Sequence, residues 1–376
     1  MRKSRLLSRS LTSACLTLFL PAFLLPALQT GSIWDYVLAG GTTALILLTP
    51  LGCRIFGCDR LGVSLGMGIC LLGLLMTRLG APSLVLSQFL FLLVSLGALF
   101  LFSWLTVHIP EGLSVGIFAG LLGIGCLALP WAGDSLPAGV ESLGLPFLAL
   151  GVSCLAARRC RIAAAALVLA GIALLWFRWN GAGAGLLTLN VPSENTALPA
   201  LATGRLFGVG IGLGSALNAA PSQLPSPDTV PGALETVLSA AMETISGSRP
   251  ASGLADAPSF SVFSLLCEQM GAITACGVMI LYAVLMFRGV HIAAASRDRF
   301  HGLAAMGATL LLGLRALAAT AEALGLVYLG GVPFPLLSTG LLPLAADWAL
   351  MGILSGVWHV HAEDLEEDTR LAMLAR

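Results

Sequence analysis

Four charged residues lie inside long apolar stretches of the sequence. They are Glu268, Arg315, Glu322 and Asp347. An ionised side chain at the middle of a membrane-spanning helix costs about 2.5 to 3.5 kcal/mol, so such residues line cavities, form pairs or take part in function. Arg315 and Glu322 are seven residues apart, which places both on one face of a helix. We expect a polar stripe facing the interior of a helical bundle, either as a structural ion-pair network or as a site for an anionic or polar substrate.

The histidine and cysteine residues do not indicate a metal or cofactor site. His359 and His361 follow the last apolar stretch and precede the acidic run 363–368, where we expect a solvated end of the chain. No spacing of His, Asp or Glu defines a metal cage, and the sequence identifies no cofactor. We interpret the nine cysteines as small apolar fillers, and not as a metal pair at Cys53 and Cys58.

The composition is that of an integral membrane protein. Of the 376 residues, 57% are hydrophobic and only 10% are charged, and the mean hydropathy is +0.94. These are too few polar residues to coat a water-soluble globule. Lys plus Arg and Asp plus Glu both total 19, so the net charge gives no reason to expect a nucleic-acid partner.

We predict ten membrane-spanning helices. A hydrocarbon core of about 30 Å requires roughly 20 apolar residues in a helix. Apolar runs separated by Arg, Pro, Asp or Gly occur at residues 11–29, 34–52, 61–78, 84–106, 112–131, 143–157, 162–179, 262–287, 303–328 and 336–360. The predicted fold class is therefore an all-α integral membrane protein of about ten transmembrane helices, with one large external loop between helices 7 and 8.

The basic residues predict the orientation of these spans. If the N-terminus is cytoplasmic, 14 of the 19 Lys and Arg residues fall in cytoplasmic segments, as the positive-inside rule requires. Both termini are then cytoplasmic. The first apolar run could also be a cleaved signal peptide, but no small-x-small cleavage pattern follows it cleanly, so we keep it as a span.

One polar segment is long enough to form a functional external loop. Residues 180–261 are rich in Pro, Ser and Gly, and long loops are usually functional or disordered. Within it, the stretch 197–215 is too short and glycine-rich to span, which indicates re-entrant or interfacial backbone. Residues 228–245 predict a short amphipathic helix that either covers the bundle or docks another membrane protein. The chain divides into helices 1 to 7 (1–179), this loop (180–261), helices 8 to 10 (262–360) and a cytoplasmic tail (361–376).

Four blocks in the second half of the chain occur in an order that resembles the SEDS family, the membrane proteins of shape, elongation, division and sporulation. Each block is weak by itself, but the order is specific, and the predicted topology also fits the family. The blocks are the glycine-rich 203–214, the aromatic and apolar 263–271 ending in Glu-Gln-Met-Gly, the basic 288–302, and 325–340, which contains Gly-x-Pro-x-Pro-x-x-Ser-x-Gly.

The resemblance implies peptidoglycan glycosyl transfer. Family members join lipid-linked disaccharide pentapeptide units at the outer face of the bacterial cytoplasmic (inner) membrane, within its lipids. Their partner is a single-pass class B penicillin-binding protein, a transpeptidase. An external Asp near the start of the eighth helix acts as base on the acceptor hydroxyl while undecaprenyl pyrophosphate leaves. A carboxylate suits this role because partial desolvation raises its pKa towards the working range.

The sequence departs from the family at this Asp. Counting back from Glu268 without gaps places Phe260 at the position of the family's Asp. The nearest carboxylate is Asp256, four residues earlier, which becomes the candidate catalytic residue. Tyr328 also stands where the family has Pro, and Thr339 where it has Tyr.

Three functions remain open after these departures. The first is a divergent polymerase that uses Asp256, or another loop carboxylate, as base and binds its substrate through Glu268, Arg315, Glu322 and Ser338. The second is a catalytically silent scaffold that organises wall synthesis by binding a transpeptidase. The third is a lipid or solute transporter built around the intramembrane charges. The sequence does not distinguish elongation, division and sporulation.

Overall fold

The chain forms a bundle of α-helices in the computed structural model, which describes residues 2–30, 33–80, 84–108, 140–157, 161–181, 205–208, 261–324, 326 and 332–374. The helices in these ranges are α1 (Arg2–Thr30), α2 (Ile33–Ile55), α3 (Arg60–Gly80), α4 (Val85–His108), α5 (Gly144–Ala156), α6 (Arg161–Gly181), α7 (Ser261–Ala295), α8 (Arg299–Ala323) and α9 (Leu341–Leu374). A 3-10 turn, Val140–Leu143, leads directly into α5. The predicted span 112–131 lies outside the described residues.

The helices confirm a multi-pass membrane protein of the all-α class. Apolar segments long enough to cross a bilayer are Ile33–Ile55, Arg60–Leu79, Val85–His108, Leu265–Ala295, Arg299–Ala323 and Leu341–Leu365. Shorter apolar helical segments occur at Leu11–Leu25, Gly144–Ala156 and Ala164–Leu175. The total of ten spans stays a prediction.

Two central helices, α3 and α9, are buried along most of their length. Helix α9 packs along α4, and Gly352 and Gly356 face that neighbour one turn apart. A Cβ at Gly356 would lie 2.6 Å from the Ser103 carbonyl oxygen, and one at Gly352 would collide with the Leu99 carbonyl. Small residues at this spacing bring two helix backbones into close contact.

The outer faces of the bundle are apolar. On α7 the side chains of Ile280 and Phe287 are 63% and 76% exposed, and on α8 those of Leu314 and Leu317 are 60% and 63% exposed. Exposed apolar surface of this kind suits contact with lipid chains. The seven cysteines in the described residues are free thiols, and all but Cys15 and Cys276 are buried.

Helix α9 differs at both ends from the predicted span 336–360. It begins only at Leu341, because Gly340 has a φ of +113° and Pro343 occupies the first turn, where proline is tolerated. It continues to Leu374, so the acidic run 363–368 is helical. Asp368 in this run forms an ion pair with Arg297.

The bundle has two ends, which we call the loop end and the tail end. The loop end holds residues 205–208, the start of α7 and Val332–Gly340, called loop 332–340 below; the tail end holds the last turns of α9. At the tail end Asp59 accepts hydrogen bonds from Arg288, from Nε at 3.0 Å and from Nη2 at 2.9 Å. The same guanidinium lies 4.3 Å from the ring centroid of Trp358. These contacts join the α2–α3 connection to α7 and α9.

Candidate functional site

Loop 332–340, which precedes α9, is buried in the bundle. Residues 333–338 are all buried, and none of residues 332–340 is in a helix or strand. One turn is closed by the Ser338 N–H, which donates to the Phe334 carbonyl at 3.0 Å. A buried segment without secondary structure must find other partners for its N–H and C=O groups. Side chains from α4, α7, α8 and α9 supply them.

The side chain of Asp347, on α9, is fully buried and binds both a cation and the loop. One carboxylate oxygen accepts a hydrogen bond from Arg315 of α8, and the other accepts the Leu336 N–H at 2.8 Å. Leu336 has a φ of +63°, a left-handed conformation that residues other than Gly and Asn seldom adopt. The ion pair therefore holds the N–H of a strained residue.

Two further polar side chains hold the ends of the loop. Glu322 of α8, which is 1% exposed, accepts the Val332 N–H at 2.8 Å. Gln88 of α4 makes two hydrogen bonds: its Oε1 accepts the Gly340 N–H at 3.0 Å, and its Nε2 donates to the Ser338 carbonyl at 3.3 Å.

The middle of the loop is held by α7. The Tyr282 hydroxyl donates to the Pro335 carbonyl. Near the start of the same helix, Phe263 stacks on Phe334 with ring centroids 4.6 Å apart. Both halves of α7 therefore contact the loop.

Helix α7 is broken at Gly271, within the predicted span 262–287. Gly271 has a φ of +80° and a ψ of 175°, which only glycine adopts readily, so the helix divides into 261–270 and 272–295. The break frees the N–H groups of Ala272 and Ile273. They donate instead to the carbonyls of Arg205 and Leu206, at 2.9 and 3.2 Å.

Residues 205–208 thus cap the second half of α7 through backbone atoms. They are the described part of the predicted re-entrant stretch 197–215. Gly208 also has a φ of +80°, and a side chain there would collide with the Gln269 carbonyl. A side chain at Gly271 would collide in turn with the backbone of Gly208. The contact requires glycine on both sides.

The four residues predicted to bind substrate are all buried at this end of the bundle. Glu268 is 5% exposed and lies one turn before the break in α7. Glu322 binds the loop backbone directly, Arg315 reaches the loop through Asp347, and Ser338 belongs to the loop. The polar stripe expected inside the bundle is confirmed, and Arg315 forms its ion pair with Asp347 of the neighbouring helix.

Three polar groups of this site match a polar ligand, and the guanidinium among them also matches an anionic one. They are the Glu268 carboxylate, the Ser338 hydroxyl and the Nη2 atom of Arg315. The last two are buried with no hydrogen-bond partner among the described residues. Within the same part of the chain, no group of three or more His, Cys, Asp or Glu residues is placed to hold a metal ion.

The candidate catalytic residue, Asp256, lies outside the described residues, as do Asp228, Glu235 and Glu243 of the same segment. The predicted amphipathic helix at 228–245 also falls there. The structure places the start of α7 at Ser261, five residues after Asp256.

Sequence reasoning missed Gln88 and Tyr282. Both are isolated polar residues within apolar segments, which is also how the four charged residues were identified. Gln88 is the single amide within the apolar segment 85–108, and Tyr282 is one of three tyrosines in the chain. A buried polar side chain needs a partner, so an isolated amide or hydroxyl in a span marks a helix that contacts irregular backbone.

A family model matches the range that supplies most of this site, although Gln88 and residues 205–208 lie outside it. Residues 253–363 match the model of the FtsW, RodA and SpoVE family, described as cell cycle proteins. This range includes the blocks 263–271, 288–302 and 325–340, so the resemblance drawn from the sequence is confirmed there.

Curated relatives show the same resemblance over a limited length. The peptidoglycan glycosyltransferases RodA of Mycobacterium bovis and Mycobacterium tuberculosis are each 27% identical over 163 residues. The match covers 43% of this chain and 27% of the relative, so the chain spans about a quarter of the length of these relatives.

Among solved structures, the rod shape determining protein RodA of Thermus thermophilus is similar, with 20% identity and a TM-score of 0.42 over 80% of this chain and 96% of that chain. A point mutant of the same protein has 19% identity and a TM-score of 0.44 over 80% and 97%. A chain of a peptidoglycan synthase complex has 17% identity and a TM-score of 0.40 over 95% and 97%.

Proposed function

We propose that this chain is a divergent member of the SEDS family, whose model matches residues 253–363, and that it polymerises lipid-linked disaccharide into peptidoglycan at the outer face of the bacterial inner membrane. The observation that carries the proposal is the agreement between the matched range and the site. Both halves of α7, the end of α8, loop 332–340 and the start of α9 all lie in that range and meet at one end of the bundle.

The proposed base is Asp256. It is the single carboxylate of residues 251–260 and lies inside the matched range, whereas Asp228, Glu235 and Glu243 lie before it. A base five residues ahead of α7 would sit near the start of that helix, at the loop end. It would accept the proton of the attacking sugar hydroxyl as the bond to the lipid pyrophosphate breaks.

The lipid-linked head group would be bound beside this base. Glu268 and Ser338 are the candidates for direct contact with the head group. Glu268 lies in the first half of α7, one turn before the break at Gly271, and Ser338 lies in loop 332–340. A carboxylate and a hydroxyl both suit the hydroxyl and amide groups of a sugar. Glu322 already binds the Val332 N–H of loop 332–340, and Arg315 binds Asp347, which holds the Leu336 N–H of the same loop.

The positions of the basic residues support the proposed orientation. Arg54, Arg60, Arg288, Arg297 and Arg299 all belong to the tail end of the bundle. The positive-inside rule then favours a cytoplasmic tail end, with both termini in the cytoplasm and the loop end outside. The lipid-linked substrate would meet the site from that side.

A scaffold for a single-pass transpeptidase is the second candidate function, because Phe260 stands where the family has its Asp. The third candidate function, a transporter, would require the intramembrane charges to bind and release a moving solute. Asp347 instead binds Arg315 and the loop backbone, and Glu322 binds Val332, which favours fixed structural roles.

The deciding experiment compares D256A with D228A in proteoliposomes supplied with lipid-linked disaccharide. General-base catalysis contributes about 100-fold or more, so we expect D256A to lose polymerisation by that factor and D228A to retain it. Equal amounts of both variants in the membrane serve as control. Full activity of D256A would exclude Asp256 as the base, and an inactive parent that still supports wall growth would favour the scaffold.

A further inference from the structure

We propose that Arg315 and Asp347 are positioning residues, which fix the backbone of loop 332–340 and act on the transfer reaction through that loop without touching the substrate. The inference rests on the proposed function for its effect on the reaction. Its structural half, that the ion pair sets the conformation of the loop, stands independently.

Asp347 is committed to protein contacts through both of its oxygens, and Arg315 through its Nη1 atom. The Asp347 side chain is fully buried and the Arg315 side chain is 10% exposed. One oxygen of Asp347 binds the guanidinium and the other binds the Leu336 N–H. Because each oxygen of this carboxylate already accepts a hydrogen bond, little of it is left to bind a ligand. The neighbouring cation is also what allows the carboxylate to stay ionised inside the bundle.

The loop residue that Asp347 binds is the strained one. Leu336 has a φ of +63°, which a branched apolar residue keeps only when the surroundings determine it. Its side chain is 1% exposed, and its neighbour Leu337 lies directly against Gly73 of α3, where an added Cβ would collide with the Leu337 carbonyl. Loss of the Asp347 hydrogen bond would free the backbone at the point of greatest strain.

The other contacts of the loop leave Leu336 as the position that determines the conformation of its middle. Glu322 holds Val332 at one end, and Gln88 holds Ser338 and Gly340 at the other. Leu336 lies midway between these supports, and next to it the Pro335 carbonyl is held by Tyr282. The Arg315–Asp347 pair, beside the Tyr282 contact, therefore fixes the middle of a loop whose ends are held by other side chains.

The charge balance of the pair supplies a sharp test. Removing one partner leaves an uncompensated buried charge, whereas replacing both by neutral groups removes that penalty. R315Q and D347N each break the balance. In the double variant R315Q/D347N neither charge remains, and the amide oxygen at position 347 can still accept the Leu336 N–H.

The experiment measures polymerisation and loop accessibility in the parent, the two single variants and the double variant. Loop accessibility is the labelling rate of a T339C substitution, in the half-exposed end of the loop, by a water-soluble maleimide. We expect each single variant to lower kcat about 100-fold with little change in KM, as a misplaced group does. Labelling should rise in both, and the double variant should return both quantities to within about threefold of the parent.

A substrate contact made by the Arg315 Nη2 atom gives the opposite pattern. Since R315Q/D347N lacks the guanidinium, it would then be as inactive as R315Q and show a raised KM, and either result would overturn the proposal. L314A, a lipid-facing neighbour, is the matched control and should change neither quantity. If R315Q does not accumulate in the membrane, R315K keeps the charge and should retain parental labelling at T339C.

The two proposals fail separately. A parent without polymerase activity would contradict the proposed function, while the labelling pattern would still test the ion pair's control of the loop. Unchanged T339C labelling in R315Q and D347N would contradict the positioning role even in an active enzyme.

Discussion

At the scale of single residues, the ion pairs of this protein differ mainly in their burial. The pair of Arg315 with Asp347 is enclosed by helices, whereas the pair of Arg297 with Asp368 is at the tail-end surface, with side chains 61% and 47% exposed. Water already solvates the surface charges, so breaking their contact changes little. In the bundle, the remaining charge has no such solvent.

Stability measurements should separate these two pairs. We expect D347A to lower the free energy of unfolding by about 3 kcal/mol or more, because it leaves the Arg315 guanidinium without its counterion. D368A should cause no measurable change. Thermal unfolding in detergent micelles compares the two carboxylate deletions directly, and equal shifts of the unfolding temperature would contradict the distinction.

The thiol of Cys58, between α2 and α3, should be chemically inert. Burial raises its pKa from 9.0 to about 11, despite a lowering contribution from the hydrogen bond to Ser103. Since the folded state keeps the thiol protonated, this group's contribution to stability is complete below pH 9 and is lost as the pH rises through about 11. We expect no maleimide labelling at Cys58 in folded protein at pH 7.5, by peptide mass analysis. Rapid labelling without added denaturant would show that the tail end opens.

At the scale of helices, the break in α7 is the feature that shapes the site most. A continuous helix would direct residues 261–270 along the axis of 272–295 and would leave no free N–H groups for residues 205–208. Gly271 redirects the first half towards loop 332–340, where Phe263 reaches Phe334.

Alanine substitution along α7 should distinguish this glycine from its neighbour in the same helix. G271A should destabilise the protein by about 1–3 kcal/mol, because the new methyl group requires a disfavoured backbone conformation and meets residues 206–208. G277A is the matched control, since a Cβ at Gly277 has no atom within 4 Å. The unfolding temperature of both variants checks this, and a larger loss in G277A would refute it.

The sequence predicts helices well here and irregular backbone poorly, for physical reasons. Hydropathy identifies spans because the bilayer penalises polar groups over a fixed length, and the four charged residues stood out by the same rule. The break at Gly271 depends on a distant backbone segment, which no local pattern reveals. The contact of Asp347 with Leu336 is likewise a hydrogen bond between a side chain and the backbone, which no local pattern reveals. The sequence therefore predicted the polar stripe but not the loop that the stripe supports.

At the scale of the whole molecule, we predict that the loop end and the tail end face opposite sides of the membrane. F207C and M373C each add one thiol to the native cysteines, at positions that are 82% and 68% exposed, at the loop end and the tail end. We expect a membrane-impermeant maleimide to label F207C in spheroplasts and M373C only after permeabilisation, because the basic residues cluster at the tail end. The parent supplies the background, and the reverse pattern would contradict the proposed chemistry outside the cell.

The Asp59–Arg288–Trp358 contacts at the tail end have a geometric consequence for the other end of α7. They anchor the second half of the helix, so that any swing of the first half must pivot about Gly271. Ten residues of helix give a lever of about 15 Å, and a rotation of about 20° would carry its tip through about 5 Å. Nitroxide distances between S261C and M373C, with and without lipid-linked substrate, measure that displacement. In such a helix the half at the loop end would move relative to the proposed site while the half at the tail end stays still.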